Sequence, residues 1–244
     1  MLYIRGEKID KASLAKKIDG SLLNPFTTRE EIENLIAMSL EYNTNSICVN
    51  PNYLEMVVEA CKNQKGTDVK ACVVIDYPFG TSTLEGKIAA AKDAVEKGVE
   101  IIDYVIDYGA LKSGDDEHLL KEVKACVEAA QGRETRFIIE VCYLTDDEIV
   151  RACEAVIAGG GDFVKTSTGR FGGPDMRVID LMVKTCAGRC KLKIAGTGRF
   201  WTTAIALTTL AAGFDIIGTR GAKGIVDELP IFESMVKNFE VRED

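Results

Sequence analysis

An α/β fold of the (β/α)8 TIM-barrel type, with a short N-terminal helical extension, is the class this sequence predicts. Three observations predict it. Eight short apolar runs read as buried strands, the segments between them carry helical spacing, and the 244 residues match the ~250 typical of such a barrel in one domain. Alternating strands and helices with right-handed crossovers leave a closed barrel or an open doubly wound sheet, and the count of eight favours the barrel. No Pro/Gly/Ser-rich linker or convincing repeat interrupts the chain, so residues 1–244 are expected to form a single domain.

In chain order, residues 1 to about 16 are expected to form the helical extension, packed outside the barrel. The strand candidates follow: Lys17–Asp19, Ser46–Val49, Val69–Ile75, Glu100–Ile106, Arg136–Val141, Asp162–Thr166, Lys191–Ala195 and Asp215–Gly218. Apolar residues spaced for one helix face lie between them: Ile32, Leu35, Ile36 and Leu40; Val123, Cys126 and Val127; Ile149, Cys153, Val156 and Ile157. A Ser or Thr followed three residues later by Glu can satisfy free N–H groups reciprocally at a helix start. Thr27 with Glu30, Ser82 with Glu85 and Thr145 with Glu148 fit that pattern, and Gly98 and Gly213 stand where left-handed C-terminal caps are expected.

With 46% hydrophobic and 28% charged residues, the chain has the apolar material for a sizeable core. Thirty basic against 38 acidic residues give a formal charge of −8, which opposes binding to nucleic acid or anionic membranes. An anionic ligand must then be small enough for a few backbone N–H groups and one or two basic side chains to hold, as a phosphorylated metabolite is. The eight cysteines are scattered through apolar segments and read as reduced, mostly buried thiols. Cys186 and Cys190 have no second ligand pair beside them, so no zinc site is expected there. The N-terminus lacks a long apolar stretch, and no run approaches the ~20 apolar residues needed to cross a bilayer, so a cytoplasmic location is expected.

Barrel enzymes build their sites at the C-terminal ends of strands, which directs attention to Cys48, Asp76, Asp103, Glu140, Lys165, Lys193 and Arg220. Strand alternation puts Phe163 and Lys165 on one face and Val164 on the other, so Lys165 can point into the barrel. An inward lysine is costly to keep as a cation, and burial favours the neutral, nucleophilic amine. Lys193 on the next strand adds like-charge repulsion, and the two together suit imine chemistry. The pattern fits equally well two surface lysines paired with carboxylates such as Asp103.

The segment Phe163-Val164-Lys165-Thr166-Ser167-Thr168-Gly169 resembles the Schiff-base motif of the deoxyribose-phosphate aldolase family. Ser46-Ile47-Cys48-Val49-Asn50-Pro51, Ile102-Asp103-Tyr104-Val105-Ile106, Gly109-Ala110-Leu111-Lys112-Ser113-Gly114 and Glu140-Val141-Cys142-Tyr143-Leu144-Thr145 resemble family segments in the same order. The likeness spans roughly residues 18–221. It implies that Lys165 forms the imine, that Lys193 is the second lysine perturbing it, and that Asp103 serves a proton relay through a water. It further implies cleavage of 2-deoxyribose 5-phosphate to acetaldehyde and glyceraldehyde 3-phosphate, with no metal or organic cofactor. The partners expected are therefore a small sugar phosphate and an aldehyde, with a homodimer as the family-level assembly. With one histidine, His118, the sequence has no histidine cluster for a metal-dependent aldolase.

The anion-binding turns depart from the family. Gly169 and Arg170 match the part after the sixth barrel strand, but the usual Gly-Gly after the seventh is Gly196-Thr197, and Gly-Thr-Ser-Ser after the eighth is Gly218-Thr219-Arg220-Gly221. Arg220 either binds a phosphate or carboxylate bidentately or turns to solvent. Near the N-terminus Asp19 is kept while the family's neighbouring histidine and lysine become Gly20 and Asn24, and the tail 237–244 lacks the tyrosine some members use. Asp19 and Cys48 remain candidates to face the substrate, Cys48 with core packing as its alternative. An aldolase for another phosphorylated or carboxylated sugar, or a barrel that only binds sugar phosphate, are the competing readings.

Overall fold

The first residues pair before they coil. Leu2–Ile4 (β1) and Glu7–Ile9 (β2) form an antiparallel hairpin with Leu2 opposite Ile9, and only Lys11–Ala15 (α1) is helical. The expected helical extension is therefore corrected to a hairpin plus one short helix. Arg5 and Gly6 both take positive φ, 51° and 82°, the geometry of a two-residue turn that matches strand twist. Asp10 then opens α1 through reciprocal hydrogen bonds with Ser13. The structure, a computed structural model, describes residues 2–196, 198 and 201–236.

Eight parallel strands follow: Ile18–Leu22 (β3), Ser46–Val49 (β4), Lys70–Ile75 (β5), Ile101–Val105 (β6), Glu134–Ile138 (β7), Phe163–Lys165 (β8), Lys191–Ile194 (β9) and Ile216–Thr219 (β10). They close in sequence order, β10 pairing with both β9 and β3. Around them lie Arg29–Tyr42 (α2), Leu54–Asn63 (α3), Leu84–Lys97 (α4), Tyr108–Lys112 (α5), Asp116–Ala129 (α6), Asp146–Gly159 (α7), Met176–Cys186 (α8), Thr203–Ala212 (α9), Ala222–Asp227 (α10) and Leu229–Val236 (α11).

Two strands are placed differently from the sequence expectation. β3 runs on to Leu22, and β7 begins at Glu134 and stops at Ile138. Glu140 takes φ 56° and starts a 3-10 turn over Val141–Tyr143, so the apolar run there cannot stay extended. Two helix starts slip by one residue: Thr28 with Glu31 caps α2, and Thr83 caps α4 at Gly86. Adjacent hydroxyl residues made both registers possible, and α2 takes the one that buries Ile32, Leu35 and Ile36. Thr145 with Glu148 caps α7, and α4 and α9 end at Gly98 and Gly213, as expected.

Strand alternation divides the apolar residues into two clusters. Outward side chains such as Ile47, Val73, Tyr104, Phe137, Val164 and Ile217 pack under the helices, Tyr104 stacking on Phe137 at 5.3 Å between centroids. Inside the barrel a smaller cluster of Cys48, Cys72, Val74, Ile101, Val105 and Ile138 fills the β4–β7 side. The other side of the interior carries Asp19, Asp103, Arg136, Lys165 and Lys193, with Phe163 under Arg136, and that division positions the site.

Candidate active site

Lys165 ends β8 and Lys193 stands opposite it in register on β9. Both point inward and are buried, 4% and 1% exposed. Their Nζ atoms donate to one oxygen, Oδ2 of Asp103 on β6, at 2.7 and 2.8 Å. Lys193 Nζ also lies 2.7 Å from Oδ2 of Asp19 on β3. Arg136, inward from β7, pairs with Asp19 and with Glu134, and its Nη1 is 3.9 Å from Asp103 Oδ1. Asn45 Nδ2 and Ser46 Oγ complete the shell by donating to Asp19 Oδ1, each at 2.7 Å.

The surroundings fix the charge of this network. Burial pushes the Asp103 carboxyl up, but the Lys165, Lys193 and Arg136 charges outweigh it and hold the group well below the usual carboxylate range. Asp19 is held low in the same way, burial being overcome by Arg136 and then Lys193. Burial pulls Lys193 down, yet Asp103 and Asp19 hold it far above the usual lysine range, so it is a cation at neutral pH. Glu140 moves the other way: burial raises its carboxyl, although the Thr168 N–H donates to it at 3.1 Å.

Above the network is a cavity of about 400 Å³ with Lys165 in its wall. Gly169, Arg170, Gly196, Gly218, Arg220 and Gly221 line it, so these predicted anion-site residues do converge on the lysine. Thr197 lies outside the described residues. Gly196 takes φ 90°, and a Cβ there would come within 2.7 Å of the Gly172 carbonyl and 2.8 Å of Ser167 Cβ, so the turn needs glycine. The Gly221 N–H is occupied within its own turn by Thr219 Oγ1 at 3.0 Å. Asp19, Asp103, Lys193 and Cys48 lie beneath the cavity wall, Cys48 wholly buried against Cys72 in the inner apolar cluster. Cys142 is exposed, its Sγ 3.5 Å from Glu140 Oε1.

Sequence reading missed several residues here. Tyr77, Trp201, Ser21 and Asn24 also line the cavity, and the Ser167 hydroxyl is buried with no hydrogen-bond partner among the described residues. The Lys165–Thr168 motif could have pointed to Ser167, two residues from the lysine and therefore on the same face. Arg136 could not have been found, since an arginine in a strand gives no sign of pointing inward.

Among the described residues, Cys48, Cys72 and Asp103 form the cluster with metal-ligating atoms within 4.8 Å of one another. Three cations, Lys165, Lys193 and Arg136, already surround that carboxylate and oppose a further one. His118 is half exposed, its Nε2 3.5 Å from Asp107.

A buried amine pair on one carboxylate stands at the C-terminal mouth of a closed parallel barrel, the end at which barrel enzymes carry their sites. The chain belongs to the DeoC/LacD family of aldolases, whose model matches residues 6–199. Curated relatives carry the name deoxyribose-phosphate aldolase. One from Streptococcus suis is 40% identical over 215 residues, covering 88% of this chain and 96% of its own. One from Clostridium perfringens is 44% identical over 190 residues, covering 77% and 84%. Among solved structures, the tetrameric deoxyribose phosphate aldolase from Aeropyrum pernix aligns with a TM-score of 0.81 at 27% identity, over 93% of this chain and 94% of that one.

Proposed function

We propose that this protein is a Schiff-base deoxyribose-phosphate aldolase, cleaving 2-deoxy-D-ribose 5-phosphate to acetaldehyde and D-glyceraldehyde 3-phosphate. The observation that carries the reading is the convergence of Lys165 and Lys193 on Asp103 Oδ2 at the wall of a cavity rimmed by glycine turns and Arg220. The named relatives add the substrate.

In this reading neutral Lys165 attacks the C1 aldehyde of the open-chain sugar, and the carbinolamine loses water to a protonated imine. The imine draws the C2–C3 bonding pair into an enamine as the C3 hydroxyl loses its proton, releasing glyceraldehyde 3-phosphate. The enamine is then protonated at C2 and hydrolysed to acetaldehyde. Asp103 is the relay for these protons through a water, and Lys193, fixed as a cation by two carboxylates, stabilises developing negative charge. Asp19 holds Lys193 in place. The phosphate sits among Gly169, Gly196, Gly218 and Gly221, with Arg220 as its cation.

No helix among the described residues is long and apolar enough to cross a membrane. A cytoplasmic enzyme goes with this reading, as does an assembly of identical chains, a homodimer in its smallest form. The test is borohydride reduction with acetaldehyde or deoxyribose 5-phosphate, followed by mass spectrometry of the native protein and Lys165→Ala. An adduct mapped to Lys165 and absent from the variant is expected; native protein that forms none with either compound has another function.

A further inference from the structure

Arg170 was expected to face an anion, yet its side chain is engaged with protein. It leaves the loop after β8, and Nη2 donates to the Leu23 carbonyl at 2.7 Å while Nε donates to the Tyr77 hydroxyl at 3.1 Å. Leu23 directly follows β3, and Tyr77 follows β5. In the closed ring β8 stands opposite β4, and β3 and β5 flank β4. The guanidinium therefore spans the mouth from one side to the other.

Tyr77 ties the span down at both ends. Its hydroxyl donates back to the Thr168 carbonyl at 3.0 Å, and the guanidinium carbon lies 5.7 Å from its ring centroid. Together with Leu23 and Tyr108, the Tyr77 ring packs on the inner apolar cluster of Cys48, Val74, Val105 and Ile138. The cavity that reaches Lys165 is lined from the loops after β3, β8, β9 and β10, with Tyr77 as its one wall from the β5 side.

We propose that the Arg170–Tyr77 bridge is a specificity-determining partition, shutting the apolar β4–β7 half of the mouth and confining carbonyl substrates to the polar half. Beneath Tyr77 the barrel wall is apolar, so a lifted ring opens room beside Lys165 for an uncharged, bulky aldehyde. With the bridge in place, only short polar chains reach the amine. The inference rests on the proposed function for its meaning as substrate selection.

Access can be read without turnover. Lys165 reacts with an added aldehyde, loses water to form an imine, and is fixed as a secondary amine by added cyanoborohydride; mapped mass spectrometry gives labelling by phenylacetaldehyde relative to acetaldehyde. Tyr77→Phe keeps the ring and removes both hydroxyl hydrogen bonds, and Arg170→Lys replaces the fork by one point donor. Both variants are expected to raise the labelling ratio by about fivefold or more over wild type, the population shift that follows from losing a hydrogen bond. Variants that melt like wild type yet leave the ratio unchanged, or a wild type that admits both aldehydes equally, overturn the proposal. If Tyr77→Phe does not fold, Arg170→Lys carries the test. Failure to turn over deoxyribose 5-phosphate counts against the proposed function and leaves this labelling comparison standing.

Discussion

Lys165 and Lys193 are registered neighbours on adjacent parallel strands, and their ammonium nitrogens meet on the same oxygen of Asp103. Two like charges are held side by side by one carboxylate, with Asp19 and Arg136 extending the alternation of sign. Removing any member leaves others buried without their partners.

Lys193→Met keeps most of the side-chain volume and removes the charge beside Lys165. In the proposed mechanism, kcat for deoxyribose 5-phosphate cleavage is expected to fall by about 10²–10⁴-fold. Coupled assay of glyceraldehyde 3-phosphate release checks it, and a variant within threefold of wild type would remove Lys193 from the mechanism.

Asp19→Asn leaves the buried Lys193 and Arg136 short of an anion. A loss of about 3–5 kcal/mol in stability is expected, as for other buried ion pairs cut on one side. Urea denaturation at neutral pH measures it.

The depressed carboxyls of Asp19 and Asp103 set an acid limit. A group with a lowered folded-state pKa stabilises fully above its unfolded value, ~3.9 for Asp, and loses that contribution as pH falls through the folded value. The urea midpoint should therefore change little from pH 7 to about 5 and drop steeply below about 4. Asp19→Asn should show a shallower acid slope than wild type. Lys193, raised instead, contributes below its unfolded value of ~10.4 and loses the contribution only as pH rises through a folded value far above it, so mild alkali should not weaken it.

Arg220 lines the cavity and has no hydrogen bond or ion pair with the described protein residues, which leaves its guanidinium available to an anion. Arg220→Ser should raise KM for deoxyribose 5-phosphate by about tenfold or more, the loss of one charge-assisted hydrogen bond, with a smaller change in kcat. The unphosphorylated sugar 2-deoxyribose should be affected far less. Equal effects on both sugars would place Arg220 outside anion recognition.

Gly80 takes φ 67°, and a Cβ there would lie 2.1 Å from the Ile106 carbonyl oxygen. Backbone meets backbone at that point, so Gly80→Ala is expected to lose about 2 kcal/mol or more. Thermal unfolding monitored by circular dichroism checks it; a variant as stable as wild type would mean that the loop carrying Tyr77 can shift freely.

The sequence by itself determined the ring of strands, because fully buried parallel strands must be short, apolar and punctuated by helices; the first run, Lys17–Asp19, is too short to stand alone and is supported by the seven that follow. Lys165, Lys193 and Asp103 were marked by the family motifs around them, since the strand pattern alone fits paired surface lysines equally well. The N-terminal hairpin escaped notice because Leu2–Ile9 carries only three-residue strands, and two residues with positive φ, Arg5 and Gly6, decide between hairpin and helix. Only the tertiary structure decided that Arg136 joins the charged interior, that Arg170 bridges the mouth to Leu23 and Tyr77, and that Arg220 lines the cavity with no partner among the described residues. Those are contacts between strands far apart in the chain. The direction of a long, flexible cationic side chain is set by which distant acceptors the closed barrel brings within reach, and no local pattern encodes that.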